Sequence, residues 1–396
     1  MNRQNHKIVP LSHCSDKAEV PTPAFVFDVR PVLRALARLQ PLRQDRGLRV
    51  LYSIKACPLV PLLDVVAPWV DGFSVSSCFE ARLAREVLET AGTVHLTSPG
   101  LRAGDFAAVN ATCNQVSFNS LSQWQRLRPL LEAGVRAGLR VNPQRSCVDD
   151  ERYDPCRRHS KLGVPLSMLA GMKDEDLPEI DGLHFHNQCE ARDYAPLYET
   201  VRHLQQQLPA LFERIRWINL GGGYLLDDAI ALTGLEETLA ELRRRANLDV
   251  YIEPGKAVVA DAGSLLAQVV DLFESDGRQV AVLDTSVNHL PELFEYQRVP
   301  TVAEARPDGA WRYLLAGGTC LAGDLLGEHR FDQPLQAGSI VTLCKVGAYS
   351  LVKAQRFNGH NLPSVYLRQM DGMLTPVKEY NYADYRQLWA APAAPE

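Results

Sequence analysis

Residues 49–77 of the chain read RVLYSIKACPLVPLLDVVAPWVDGFSVSS and contain the pattern that decides the fold. The runs at its two ends, RVLYSIKA and GFSVSS, are rich in β-forming residues and finish in small or polar ones. Six further runs of this kind follow: TVHLTSP at 93–99, QVSFNS at 115–120, GLRVNP at 138–143, GLHFHN at 182–187, WINLGGG at 217–223 and DVYIEPG at 249–255.

Helical segments lie between most of these eight runs. Apolar residues recur at helical spacing at 80–90, 121–133 and 194–213. Strands that alternate with helices indicate parallel βα units. Eight such units in succession predict an α/β fold with a (β/α)8 barrel of the TIM type.

The pattern changes after residue 255. Strand-like runs at 264–274, 279–286, 311–316 and 339–348 have no long helices between them, and proline and glycine separate them, which favours an antiparallel β domain. The run AFVFD at 24–28 falls outside the eight and is expected to join this domain. We therefore predict three parts: a polar N-terminal extension over 1–20, a barrel over 21–260 and a β domain over 261–385.

Bulk composition excludes several classes of protein. The 396 residues include 42 basic and 47 acidic side chains, and no long basic run provides a surface for nucleic acid. The nine cysteines form no CxxC pair, which indicates reduced thiols of a cytoplasmic protein. Residues 1–19 lack the apolar core of a signal peptide, and no apolar stretch approaches the ~20 residues of a membrane helix.

The ends of the predicted strands carry unusual residues. Catalytic groups of such barrels lie at the carboxyl ends of the strands. Lys55 ends the first run, between Ile54 and Ala56. A lysine in apolar surroundings either extends its amine to the surface or serves as the nucleophile that forms a Schiff base.

Three later strand ends add candidate groups. His184 and His186 share one strand face and could bind a metal, but no further cluster of convincing spacing supports this, so we predict no metal. Gly221, Gly222 and Gly223 either form a simple turn or bring backbone N–H groups close to an anion. Glu253 is a structural ion-pair partner, a general base or a cofactor ligand.

Together these positions match the needs of pyridoxal 5′-phosphate (PLP). Lys55 would carry the cofactor, and His186 would stack on its ring. The triglycine segment and Gly255 would hold the phosphate. Glu253 would hydrogen-bond the pyridine nitrogen and keep it protonated, which strengthens the electron sink.

From about residue 20 to 380 the chain resembles the fold-type III PLP enzymes, the alanine-racemase-like decarboxylases of ornithine, arginine, diaminopimelate and carboxynorspermidine. GTCLAGD at 318–324 looks like the family's catalytic cysteine loop, and GAY at 347–349 like the motif whose tyrosine contacts the phosphate. Family members form shared active sites across a head-to-tail homodimer. The resemblance therefore implies that Cys320 acts in the partner's site and that Tyr349 binds the cofactor.

Finer features are similar to carboxynorspermidine or carboxyspermidine decarboxylase. They are Cys-Glu at 189–190, LDTSVN at 283–288, TCLAGD at 319–324 and Phe-Asn-Gly at 357–359. The expected substrate is an α-amino acid with a distal amine, used in polyamine (spermidine) biosynthesis. Another amino acid or a carboxy-aminopropyl metabolite is the alternative. Asp284 and Asp324 are candidates to bind the distal ammonium, although Asp284 could also cap a strand end.

Two departures and three rival functions remain. Lys256 stands where we expect an acid or arginine, and the loop at 149–161 carries one cysteine, Cys156, and five basic residues, His159 included. A racemase is disfavoured because the family's racemases place arginine, not a carboxylate like Glu253, at the pyridine nitrogen. The other rivals are a non-catalytic PLP carrier and a metal-dependent hydrolase that uses His184 and His186.

Overall fold

Eight parallel strands close into a barrel in the computed structural model, which describes residues 20–148, 150–244 and 247–391. The strands of the whole described structure, in the barrel and in a second sheet, are β1 Ala24–Asp28, β2 Leu48–Ser53, β3 Gly72–Val75, β4 Thr93–Thr97, β5 Gln115–Phe118, β6 Arg136–Asn142, β7 Val164–Pro165, β8 Gly182–His184, β9 Trp217–Asn219, β10 Asp249–Ile252, β11 Gly263–Ser275, β12 Arg278–Leu283, β13 Thr301–Val302, β14 Trp311–Ala316, β15 Leu325–Phe331, β16 Ile340–Cys344, β17 Ser364–Arg368 and β18 Leu374–Lys378. The barrel order is β2-β3-β4-β5-β6-β8-β9-β10, and β10 pairs with β2 to close it. The predicted (β/α)8 barrel is thus confirmed.

Helices follow most barrel strands. They are α1 Val29–Ala37, α2 Gln40–Arg46, α3 Val60–Val66, α4 Cys78–Leu88, α5 Phe106–Thr112, α6 Leu121–Leu127, α7 Leu166–Ala170, α8 Ala195–Gln207, α9 Pro209–Arg214, α10 Thr233–Leu242, α11 Lys256–Val259, α12 Pro291–Tyr296, α13 Ser350–Lys353 and α14 Tyr382–Gln387. The predicted helix at 194–213 is two helices, because Pro209 cannot donate a backbone hydrogen bond and starts a new one.

The predicted strands also extend too far at their carboxyl ends. β2 stops at Ser53, and residues Ile54–Ala56 form one 3-10 turn. The backbone N–H of Ser53 donates to the Pro254 carbonyl at 3.0 Å, so the strand end is anchored to the segment that follows β10. Lys55 and His186 therefore lie on loops just beyond the strands, where a side chain can face a ligand.

A second sheet packs beside the barrel and is mixed in direction. Its main order is β15-β14-β12-β11-β1-β17-β18, with β16 on β11 and β13 on β16. Most pairs are antiparallel, as predicted, whereas β1–β17 and β12–β14 are parallel. β1 lies in this sheet, between β11 and β17, and its Phe25 and Phe27 are fully buried.

The predicted N-terminal extension, 1–20, lies almost wholly outside the described residues. Among the helices of the described ranges, none has the length and apolar character that a bilayer crossing requires.

Candidate active site

A cavity of about 250 Å³ lies at the carboxyl ends of the barrel strands. Its wall is formed by the ends of β2, β8, β9 and β10 with the segments that follow them, together with residues on α12, at α13 and in the loop at 150–161. Six of the residues singled out from the sequence line it: Lys55, His186, Gly223, Glu253, Gly255 and Tyr349.

Lys55 points its amine into this cavity. The residue sits on the 3-10 turn, between the buried side chains of Ile54 and Ala56. Within the described residues its amine makes no hydrogen bond or ion pair. Enclosure by the surrounding protein lowers the pKa of the Lys55 amine, and the charge of Glu253 opposes that effect. A lysine with a lowered pKa is more often neutral and is the better nucleophile.

Glu253 is a buried carboxylate that follows β10. Its side chain is 7% exposed, and Oε1 accepts a hydrogen bond from Asn219 Nδ2 at 2.7 Å. Oε2 is 3.7 Å from His184 Nε2, which is too long for a hydrogen bond. Oε2 is thus available to a donor inside the cavity.

His186 is held by the triglycine segment. Its Nδ1 accepts the backbone N–H of Gly222 at 3.0 Å, so the proton of the neutral ring is on Nε2. Burial, with the positive charges of Lys55 and Arg140, holds the pKa of His186 well below the ordinary histidine value. The ring is therefore neutral at physiological pH and suited to stacking.

Gly221, Gly222 and Gly223 differ in the partners of their backbone N–H groups and in their position at the cavity. The N–H of Gly221 donates to Asn219 Oδ1 and that of Gly222 to His186, so neither is free for an anion. Only Gly223, with φ +91°, lines the cavity. A Cβ on Gly222 would be 2.3 Å from the Glu253 carbonyl, and one on Gly223 would be 2.1 Å from the Gln188 carbonyl. Of the three glycines predicted to hold a phosphate, Gly223 is thus the one at the cavity wall, while the N–H groups of Gly221 and Gly222 are used within the turn.

Tyr349 is tied to the turn that carries Lys55. Its N–H donates to the Ala56 carbonyl at 2.8 Å, and its backbone adopts φ +61°. Burial raises the pKa of the Tyr349 hydroxyl, so this group is a neutral hydrogen-bond donor at the cavity wall.

Asp284 and Asp324, which the sequence analysis predicts to bind the substrate, do not line this cavity of their own chain. Asp284 Oδ1 accepts the Gln268 N–H at 2.8 Å, which makes it a cap between β11 and β12. Asp324 is 3% exposed, and its oxygens accept the N–H groups of Val287 at 2.8 Å and Thr319 at 3.1 Å, as well as the Thr319 hydroxyl. Both carboxylates are occupied by donors of their own domain.

Cys320 also lies away from the cavity of its own chain. It is exposed on the loop before β15, and its N–H donates to Asn358 Oδ1 at 2.9 Å. Asp324 anchors the same loop from the other side through Thr319. The loop is thus held firmly, with the thiol directed at solvent in the single chain.

The sequence reasoning gave no role to Arg140, which does not line the cavity but whose charge acts on groups of the site. This residue is 8% exposed on β6, and its charge acts on Lys55, His184 and His186. A charged residue within the buried run GLRVNP was the available signal, since a buried arginine needs a partner.

An ion-pair cluster at the outer end of the cavity was also missed. Glu190 binds Lys256 at 2.8 Å and Arg298 at 3.0 Å. The other members pair more loosely or closer to the surface: Glu292 is 3.7 Å from Lys256 and 3.8 Å from Lys353, and Lys353 is 2.7 Å from Glu295.

Two tyrosines lie beside this cluster. The Tyr153 and Tyr296 rings meet edge to face with centroids 3.9 Å apart, and the Arg298 guanidinium lies within 5.7 Å of both. Lys256, the departure noted in the sequence, is thus paired with carboxylates, and Tyr153 belongs to the other departing segment, the loop at 150–161.

The residues present fit PLP. An unpaired amine at Lys55, a buried carboxylate at Glu253 with one unbonded oxygen and a neutral ring at His186 share one cavity. Gly223 and Gly255 add backbone without side chains, and a Cβ on Gly255 would meet Ser53 at 3.0 Å. In the described ranges no group of three His, Cys, Asp or Glu residues is arranged to hold a metal.

Comparison with known proteins shows the family. The family model for the pyridoxal-dependent decarboxylase, pyridoxal binding domain, matches residues 32–260. A carboxyaminopropylagmatine decarboxylase from Synechocystis is 36% identical over 93% of this chain and 95% of its own length. A carboxynorspermidine/carboxyspermidine decarboxylase from Herminiimonas arsenicoxydans is 32% identical over 92% and 98%.

Solved structures agree as well. The crystal structure of carboxynorspermidine decarboxylase from Campylobacter jejuni, complexed with norspermidine, superposes with a TM-score of 0.84. It is 27% identical and covers 93% of this chain and 100% of that one. The chain belongs to the family of pyridoxal-dependent decarboxylases, and its cofactor is PLP.

Proposed function

We propose that the chain decarboxylates an α-amino acid with a distal amine in polyamine biosynthesis, with carboxynorspermidine or carboxyspermidine as first candidates. The observation that carries the proposal is one cavity with cofactor-binding residues at one end and carboxylates with tyrosines at the other. Such a cavity suits a substrate whose α-carbon reacts at one end while a cation is bound at the other.

We assign the cofactor end as follows. PLP supplies the sink for the electron pair that remains when the bond between Cα and the carboxylate breaks and CO2 leaves. Lys55 provides the amine that holds the cofactor, and Glu253 keeps a proton on the pyridine nitrogen. His186 covers the ring, while Gly223, Gly255 and Tyr349 contact the phosphate.

We assign the distal cation to Glu292 and the two tyrosines. Among the acids of the ion-pair cluster, Glu292 has the longest distances to its lysine partners, 3.7 Å to Lys256 and 3.8 Å to Lys353. A substrate ammonium can therefore compete with these lysines for Glu292. Tyr153 and Tyr296 add ring faces, as the position of Arg298 over both rings illustrates. These residues replace Asp284 and Asp324 in that role.

The active form is proposed to be a head-to-tail homodimer in which Cys320 of a second copy protonates Cα. In the single chain Cys320 is exposed and absent from the cavity wall. Exposed apolar side chains lie near its loop, as expected of a surface that a second copy covers: Phe294, Val299, Leu325 and Phe357.

The cytoplasm is the proposed location. Eight of the nine cysteines lie in the described residues, and seven of them are free thiols: Cys57, Cys78, Cys113, Cys147, Cys156, Cys189 and Cys320. Free thiols in such number are typical of a reducing compartment.

The test measures CO2 release by the purified, PLP-loaded protein over a panel of α-amino acids. The panel contains carboxynorspermidine, carboxyspermidine, diaminopimelate, ornithine, arginine and lysine. We expect the highest kcat/KM with a carboxypolyamine. A preference for diaminopimelate or ornithine would reject the proposed substrate class, and chiral analysis of recovered substrate separates decarboxylation from racemisation.

Carboxyaminopropylagmatine is the second candidate substrate. The Synechocystis relative with that name is 36% identical to this chain, against 32% for the Herminiimonas relative. A planar guanidinium also binds tyrosine ring faces, and that of Arg298 lies 5.7 and 5.5 Å from the centroids of the Tyr153 and Tyr296 rings. Adding this compound to the panel decides between an ammonium and a guanidinium end group.

A further inference from the structure

Asn219 joins two parts of the cofactor cavity although it does not line that cavity. It is the last residue of β9 and is 1% exposed. The triglycine segment begins two residues later, and Glu253 follows β10, the strand that pairs with β9. Asn219 thus lies between the carboxylate at one strand end and the glycine turn at the other.

Both ends of the Asn219 amide are used. Nδ2 donates to Glu253 Oε1 at 2.7 Å, and Oδ1 accepts the N–H of Gly221 at 2.9 Å. The two contacts fix the orientation of the amide. If the side chain were reversed, its NH2 group would face the Gly221 N–H and its oxygen would face the Glu253 carboxylate. In the described residues Asn219 is the sole hydrogen-bond donor to the Glu253 carboxylate.

We propose that Asn219 is a positioning residue that holds the Glu253 carboxylate in a fixed place relative to the triglycine turn, so that the group proposed to bind the pyridine nitrogen and the backbone proposed to bind the phosphate keep their relative positions. The inference rests on the proposed role of Glu253 at the pyridine nitrogen. A hydrogen bond from a neutral amide stabilises the carboxylate without adding a charge that would compete with the pyridinium.

Charged and titratable groups face Glu253 from several strands. They are Lys55 after β2, His95 on β4, Arg140 on β6, and His184 and His186 on and after β8. Burial lowers the pKa of His95 to about 3 and that of His184 well below the ordinary value, so both are neutral. Among these groups, Asn219 therefore supplies the direct hydrogen bond to the Glu253 carboxylate, while Lys55 and Arg140 supply positive charge near it.

The test uses two substitutions that separate the contacts of Asn219. N219D keeps an acceptor for the Gly221 N–H but places a carboxylate 2.7 Å from Glu253, and two carboxylates at that distance share one proton. N219A removes both contacts. PLP binding to the apoprotein is followed by fluorescence, and the pH dependence of the bound cofactor's absorbance is recorded.

We expect N219D to weaken PLP binding by roughly tenfold to a hundredfold, at least as much as N219A, and to shift the pH profile of the cofactor. If N219D behaves as wild type while N219A is impaired, the Gly221 contact alone matters and the proposal is overturned. An unchanged pH profile in both variants also overturns it.

The chain offers a matched control in Asn119. It is 8% exposed, donates to the Lys161 carbonyl at 2.7 Å and accepts the Gly163 N–H at 2.9 Å, so its amide bridge equals that of Asn219 but lies elsewhere. N119A should lose similar thermal stability with no change in cofactor absorbance. If N119A changes the pH dependence of the cofactor absorbance as N219A does, the change reflects a general loss of stability of the barrel, and the positioning role of Asn219 is overturned.

Failure of the inference is distinguishable from failure of the proposed function. Wild-type protein that releases no CO2 from any amino acid rejects the function, whatever Asn219 does. Active wild-type protein with normal PLP binding in N219D rejects only the positioning role.

Discussion

Replacing Asp324 decides between a substrate-binding and a structural role for this residue. Alanine there would leave the Val287 N–H buried without its acceptor, at about 1–3 kcal/mol, and would free the Thr319 N–H and hydroxyl, which water can partly satisfy. We expect the free energy of unfolding to fall by about 2–4 kcal/mol.

Two assays report the effect. Thermal denaturation should show a lower midpoint for D324A and a smaller loss for D324N, which retains one acceptor oxygen for Val287. Cys320 should react faster with a thiol reagent in both variants, because its loop loses the anchor at Thr319. The matched control is D371A, at an exposed carboxylate that accepts the local Met373 N–H and, within the described residues, no other hydrogen bond.

Steady-state kinetics would refute the reasoning. A structural role lowers kcat through the cysteine loop and leaves KM for the amino-acid substrate unchanged. A KM that rises more than tenfold for substrates with a distal amine, at an unaltered denaturation midpoint, would restore Asp324 to the substrate site.

Three further outcomes are expected. K55A should abolish the visible absorbance of lysine-bound PLP and nearly all turnover; because enclosure lowers the amine's pKa, the wild-type apoprotein should also react with PLP below the pH that an ordinary lysine requires. G222A, whose Cβ would be 2.3 Å from the Glu253 carbonyl, should give little folded protein, whereas G104A, with open space around it, should fold normally by circular dichroism. E292Q should raise KM for amine-bearing substrates with little change in kcat, and an unchanged KM would remove Glu292 from the distal site.

The fold followed from the sequence because its signals are local. Eight short β-rich runs with helices between them give the barrel, and strand alternation with strand ends brings Lys55, His186 and Glu253 to one cavity. Residues that directly follow the parallel strands of one barrel all lie at its carboxyl-terminal end. The sequence could therefore predict that these side chains are neighbours, although it gave no distances between them.

What the sequence did not provide depends on contacts between distant segments. Asp324 is acidic in either role, and only its bonds to Val287 and Thr319 show that its charge is already used. The ion pair between Glu190 and Arg298 joins residues that no local period connects. The parallel pairing of β1 with β17 spans most of the chain and leaves no trace in either strand.

That pairing has a consequence for how the molecule is assembled during synthesis. Among the described strands β1 leaves the ribosome first, yet its neighbours are β11 and β17, and the latter ends at Arg368. The apolar strip containing Phe25 and Phe27 must therefore wait about 235 residues for β11 and some 340 residues for the whole of β17, and one of its edges is open to wrong partners until then. Chaperone binding to nascent chains should accordingly concentrate on this opening segment and end only when the final strands emerge.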